Sequence, residues 1–304
     1  MDTVTLIKKL ERPASSADVI LDTDTYNEID DQFAIAYMLA NRDKLNVKAI
    51  FAAPFSNGKS SGPKDGMEKS YDEIKKVLSL INGTEEIKVF KGSENYLKDE
   101  KTPEITPAAE YLVKLAEQYN SDKPLYVVGI GAITNIASAI LINPEIINKI
   151  VVVWLGGHAQ HWHDTKEFNL YQDVAAARII FGCGVPLVQL PCMGVVSSFT
   201  FSEADLTYWL LGKNKICDYL ARNTIEEASS YAKGKPWTRV IWDVTAVAWL
   251  IDGGFFCERL ERSPIPEYDG FYAYDSRRHF IKYIYHVNRD ALAEDLFKKL
   301  ADLK

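Results

Sequence analysis

Asp22, Asp24, Glu28, Asp30 and Asp31 place five carboxylates within ten residues. Such a density repels itself unless a cation or bound protons sit among the groups. Oxygen donors alone suit a hard cation, calcium or magnesium, and calcium tolerates the irregular, higher-coordinate geometry of a loop. Carboxylates around a reacting centre suit reactions that build positive charge, and a cation among them can activate water. A solvated acidic loop is the plain alternative. It fits poorly, because the run follows the apolar Val19-Ile20-Leu21 and leads straight into Phe33-Ala34-Ile35-Ala36-Tyr37-Met38-Leu39-Ala40. A second chemical feature is His158-Ala159-Gln160-His161-Trp162-His163, with three histidines in six residues. The spacing is not a standard zinc pattern. One histidine here could instead protonate a leaving group, and His158 stands nearest the preceding strand.

These residues need elements to hold them. Short β-branched runs predict strands at 19–21, 47–54, 87–90, 125–128, 150–155 and 187–190. Helical patterns predict helices at 33–40, 70–80, 108–119, 135–142, 174–181, 203–211, 214–232 and 243–251. The alternation predicts an α/β fold with an open, mostly parallel, Rossmann-like sheet and helices on both faces. Ligands of such sheets bind beyond the carboxyl ends of the strands, here after Leu21, Ala53, Val128 and Leu155. Residues 271–286 predict an antiparallel hairpin, and 290–303 a terminal amphipathic helix. With no linker or repeat, one domain over 1–304 is expected, its core at about 19–250 and the hairpin and helix at about 270–304.

The net charge of −7 argues against nucleic acid polymers and acidic membrane surfaces as partners. No run of about 18 apolar residues predicts a spanning helix. Residues 1–18 lack the apolar core of a signal peptide, so a cytoplasmic location is expected. Cys183, Cys192, Cys217 and Cys257 show no paired spacing and are expected to be buried small hydrophobes. Gly129-Ile130-Gly131 lacks the third glycine of a dinucleotide loop.

The run Val19-Ile20-Leu21-Asp22-Thr23-Asp24…Asp30-Asp31 resembles the N-terminal signature of the nucleoside hydrolases, an Asp-x-Asp…Asp-Asp motif after the first strand. Further motifs follow in the order of that family. Asn57 resembles its sugar-contacting asparagine. Gly131-Ala132-Ile133-Thr134-Asn135-Ile136-Ala137 resembles its Gly-x-x-Thr-Asn-Ile-Ala segment. Leu155-Gly156-Gly157 resembles a Met-Gly-Gly turn, Glu167-Phe168-Asn169 a Glu-Phe-Asn motif, and Trp242-Asp243 the site of the last metal-binding aspartate. The resemblance covers about residues 19–250. It implies calcium-dependent hydrolysis of the N-glycosidic bond of a ribonucleoside, giving free base and ribose. It implies Asp24 as metal ligand and general base on water, with Asp31, Asp243 and the backbone carbonyl of Thr134 as further ligands. Asp30, Asn57, Glu167 and Asn169 would hold the sugar. It also implies a homodimer or homotetramer.

Two departures bear on the base. Relatives often carry a histidine where this chain has Trp242, which can stack on a flat base and points to a purine substrate, in a purine salvage role. Residues 92–109 replace a longer Gly- and His-containing stretch, so the base pocket is expected to be more open or to be built by other loops. Thr134 could also cap the helix that begins at Asn135. Two other functions compete. Asp22-Thr23-Asp24-Thr25-Tyr26 partly matches a haloacid dehalogenase-type phosphohydrolase, although the doubled Asp30-Asp31 has no task there. A non-catalytic nucleoside or sugar binder on the same scaffold is the other.

Overall fold

The computed structural model describes residues 1–304. Six parallel strands form the centre: β1 (Ala17–Thr23), β2 (Leu45–Ala52), β3 (Val89–Lys91), β4 (Leu125–Gly129), β5 (Ile150–Leu155) and β6 (Leu187–Leu190). The sheet has eight strands, ordered β3-β2-β1-β4-β5-β6, then Phe280–Val287 and Phe256–Arg262. Every residue of β4 and β5 is buried, as continuous apolar runs require in a sheet covered on both faces. One face carries helices Asp30–Ala40, Val244–Trp249 and Arg289–Asp302; the other carries Pro107–Ala116, Thr134–Ile142 and Val174–Gly182.

The strand order matters for chemistry. The chain runs outward from β1 through β2 to β3, then returns to lay β4 on the other side of β1. The carboxyl ends of β1 and β4 therefore flank a switch point, where such sheets open a crevice. The acidic turn leaves β1 there, and Gly131 to Thr134 leaves β4 beside it.

The structure corrects several expectations. The predicted 271–286 hairpin does not form. Tyr272–Ala273 pairs with Ile265–Pro266 instead. Phe280–Val287 joins the main sheet, parallel to β6 and antiparallel to Phe256–Arg262. The strand Phe256–Arg262 was hidden because it is an edge strand rich in charge, as edge strands commonly are. The helix expected at 70–80 begins at Pro63, where a missing N–H costs nothing in the first turn. Helix Thr3–Lys9 adds an element at the N-terminus. Cys192 and Cys217 are buried, but Cys257 lies exposed on the edge strand, and Cys183 is only half-buried. No helix is long and apolar enough to cross a membrane.

Candidate active site

β1 ends at Thr23, and the helix Asp30–Ala40 starts six residues after Asp24. The loop between them is short and turns three of its carboxylates inward, leaving Glu28 at the rim: Asp24, Asp30 and Asp31 are each at most 2% exposed. Asp30 and Asp31 sit in the first turn of their helix, where the positive end of the helix dipole favours negative charge. Asp243 comes from the distant segment before helix Val244–Trp249, and its N–H donates to Asp30 Oδ2 at 3.4 Å. One oxygen from each of Asp30, Asp31 and Asp243 lies within 4.8 Å of the others.

The electrostatics are one-sided. Burial, then the neighbouring carboxylates, hold Asp24 and Asp243 well above the usual aspartate range. Burial, Glu28 and Asp31 do the same to Asp30, against the opposing pull of Arg239. Burial pushes Asp31 up to about 7, although the Thr23 hydroxyl donates to it. The counter-charge that opposes the rise at Asp30 is Arg239, which pairs with Glu28 at 2.6 Å at the rim. Asp24 Oδ2 is buried with no hydrogen-bond partner. An orphaned carboxylate oxygen beside three converging carboxylates fits a hard cation, because the cation would satisfy the oxygen and relieve the repulsion. Gly131 makes room for this arrangement: a Cβ there would stand 3.2 Å from Asp24 Cγ.

Asp22 behaves differently. Its carboxylate accepts from Asn135 Nδ2 at 2.8 Å and does not line the cavity. Asn135 also accepts from the Ser93 N–H and hydroxyl. Asn135→Ala would strip partners from a buried carboxyl and a buried N–H, and is expected to cost about 3 kcal/mol of stability in urea unfolding. An unchanged midpoint would show that these groups find other partners.

A cavity of about 170 Å³ opens above the acidic group. Of the residues singled out in the sequence, Asp24, Asp30, Asp31, His158, Glu167, Asn169, Trp242 and Asp243 line it. Asn57 does not. It stands behind Asn27, donating to Asn27 Oδ1 at 2.6 Å, and its own Oδ1 closes a turn to the Lys59 N–H. Thr134 does not line it either. Its hydroxyl donates to Asp173 Oδ2 at 2.7 Å and caps nothing, so the capping role expected for it is replaced by a tie to the neighbouring helix. Glu167 is no surface charge. It is buried and accepts from the N–H groups of Gly157, Asn169 and Leu170, fixing the strand-end turn to the next helix. Gly157 has φ +76°, and a Cβ there would run into the Tyr272 hydroxyl at 2.1 Å, so only glycine fits this turn. Asn169 Nδ2 donates to the carbonyls of Ile130 and Leu155, joining the ends of β4 and β5.

Other wall residues escaped the sequence: Asn27, Lys166, Cys192 and Met193. Cys192 and Met193 follow β6, the next parallel strand, so extending the strand-end rule by one strand would have found them. Residues 92–109 contribute nothing to the wall. They are pinned to the body instead, by the Leu97 N–H to Asp173 and by Glu100 to Arg178.

The model of the inosine-uridine preferring nucleoside hydrolase family matches residues 19–290. The chain belongs to this family. As a family member it is an N-glycosyl hydrolase. Among curated proteins it is similar to the pyrimidine-specific ribonucleoside hydrolase RihA of Escherichia coli O1:K1, at 27% identity over 78% of this chain and 80% of the relative. Its fold is that of a purine-preferring ribonucleoside hydrolase from Gardnerella vaginalis, with a TM-score of 0.76 at 20% identity, covering 93% of this chain and 98% of the other. A plant nucleoside hydrolase, PpNRh1, superposes with the same TM-score at 18% identity, covering 94% and 99%. Membership sets aside the phosphohydrolase reading. So does geometry, because the carboxylate of Asp22, which would have to be the nucleophile, is turned away and bonded to Asn135.

Proposed function

We propose that the chain is a calcium-dependent ribonucleoside hydrolase in which Asp24 is the general base. The observation that carries this reading is the buried, partnerless Asp24 Oδ2 beside the converging carboxylates of Asp30, Asp31 and Asp243. Asp24, Asp31, Asp243 and the Thr134 carbonyl would hold the ion. A bound calcium ion supplies positive charge among the carboxylates, orients the ribose diol and lowers the pKa of nearby water. Asp24 takes the proton from the attacking water, with its partnerless Oδ2 as the accepting atom. The surrounding carboxylates stabilise the oxocarbenium-like charge as the bond to the base breaks. Asp30, Glu167 and Asn169 orient the sugar, and Asn57 acts through Asn27.

Trp242 is half-buried and lines the cavity, so its indole face offers a stacking surface for the departing base. A purine covers more of that face than a pyrimidine, which favours purine ribonucleosides and a purine salvage role. The substrate in the name of RihA makes pyrimidine the competing outcome. Trp242→Ala is expected to raise KM for the preferred nucleoside about tenfold or more, since stacking of one base on an aromatic ring contributes about 1–3 kcal/mol. An unchanged KM would place the base elsewhere.

The deciding experiment is incubation with calcium and a panel of purine and pyrimidine ribonucleosides, measuring free base and reducing sugar. Release that is lost on chelation supports the reading, and the panel names the base. Nucleoside binding without cleavage would support the non-catalytic binder instead. The proposed assembly is a homodimer or homotetramer, which light scattering reads directly.

A further inference from the structure

His158 follows the Gly156-Gly157 turn at the end of β5 and lines the same cavity as Asp24 and Trp242. Its side chain is only 12% exposed. Its two ring nitrogens are not equivalent. The Met193 N–H donates to Nδ1 at 3.3 Å, so Nδ1 is the acceptor and the ring proton sits on Nε2. Asp164 is the nearest acid to Nε2, at 3.9 Å, beyond hydrogen-bond reach. Asp164 has other partners: the Lys166 N–H at 3.2 Å and His163 Nε2 at 3.4 Å. The Nε2–H of His158 is therefore unspent, whereas the amide of Asn169, another donor in the wall, is used up on two carbonyls. The ring is braced from the side by Trp162, with centroids 6.0 Å apart.

We propose that His158 is a neutral hydrogen-bond donor to the leaving base, and does not transfer a proton to it. The proposal rests on the hydrolase reading above. An imidazolium would need a proton on Nδ1, where the Met193 N–H already points, so the charged ring loses that bond and faces a second donor. Burial and the neighbouring His163 also hold His158 below the ordinary histidine value, against the opposing effect of Asp164. In the reaction, water oxygen bonds to the anomeric carbon as the carbon–nitrogen bond breaks. That bond's electron pair goes to the base, the water proton goes to Asp24, and the base takes its own proton from solvent. Nε2–H stabilises the negative charge on the base while the bond breaks and keeps its proton throughout. A neutral imidazole serving as electrophile has precedent in enzyme chemistry.

The test compares the wild-type chain, H158A and H158Q with calcium. The substrates are the best ribonucleoside and p-nitrophenyl β-D-riboside, whose nitrophenolate leaves without help. H158A should lose about 100-fold in kcat on the nucleoside, the usual cost of one lost donor at a developing charge. It should cleave the nitrophenyl riboside near the wild-type rate. H158Q, which sets an amide N–H near the place of Nε2, should recover nucleoside cleavage to within about tenfold of wild type, as a donor replacement should. Its pH profile should match the wild-type one. Four outcomes overturn the proposal. Equal loss on both substrates would show that His158 only shapes the loop. No loss on either would leave it a bystander. An H158Q variant as slow as H158A that also lacks an alkaline limb seen in wild type would mean a proton-donating imidazolium. A wild-type chain that cleaves no nucleoside would overturn the hydrolase reading and this proposal with it.

Discussion

Asp24→Asn is expected to lower kcat on the preferred ribonucleoside by about 1000-fold, within the range that a positioned general base contributes. The substitution keeps the shape of the side chain and one carbonyl oxygen, but removes the basic lone pair and the charge. Asp24 makes no side-chain hydrogen bond that the fold depends on, and its Oδ2 has no partner at all. The backbone turn at this position, from the Asn27 N–H to the Asp24 carbonyl at 2.7 Å, is unaffected by the change. The variant should therefore fold. Without cation it should melt at or above the wild-type temperature, because one of several mutually repelling buried carboxylates has become neutral. Steady-state kinetics with a parallel thermal melt checks both parts. Full activity would remove Asp24 from the role of base. A collapse in melting temperature would mean that the carboxylate is structural.

Removal of divalent cations should abolish turnover and make stability strongly pH-dependent. The sign follows from the direction of the shifts. Asp24, Asp30, Asp31 and Asp243 all have folded values above the unfolded value of 3.8, with Asp31 at about 7. The folded chain then holds more protons than the unfolded chain above pH 3.8, so stability falls as pH rises. The loss runs from about pH 4 up through 7 and beyond. This is the reverse of an ion-paired aspartate, whose contribution fails in acid. Cation binding should cancel the penalty, since the ion binds the folded carboxylates in their charged form. At one hundred times its Kd, a ligand adds about 2.7 kcal/mol. That corresponds to a rise of about 4 °C in Tm at pH 8, and to little at pH 5. Melting curves with calcium, with magnesium and with chelator at both pH values test this. A cation effect as large at pH 5 as at pH 8 would show that the ion binds elsewhere.

The acidic turn was legible because it is local. Strand, loop and helix run through consecutive residues, and their composition alone says that carboxylates cluster where an apolar strand meets an apolar helix. The mostly parallel sheet was legible from alternation, its strand order and switch point were not, and Glu167-Phe168-Asn169 was found by its motif. The tail was not. Phe280–Val287 finds its partners in β6 and Phe256–Arg262, and no local pattern distinguishes that from a hairpin. Asn57 read as a direct contact, yet its amide donates to Asn27, and the Thr134 hydroxyl goes to Asp173 while its carbonyl is left out of that bond.

The sequence by itself determined the residue types, the acidic turn, the alternation that builds a parallel sheet and the motif order of the family. Only the tertiary structure decided which carboxylates act together. It turned Asp22 away to Asn135 and brought Asp243 to Asp30 across 213 residues of chain. It also left the Nε2–H of His158 free in the wall of the cavity that Trp242 lines. The physical reason is range. Propensity and periodicity act over a few residues, whereas a shared cation, a raised pKa or an unspent donor depends on distance and burial, which the strand order and register of the sheet impose.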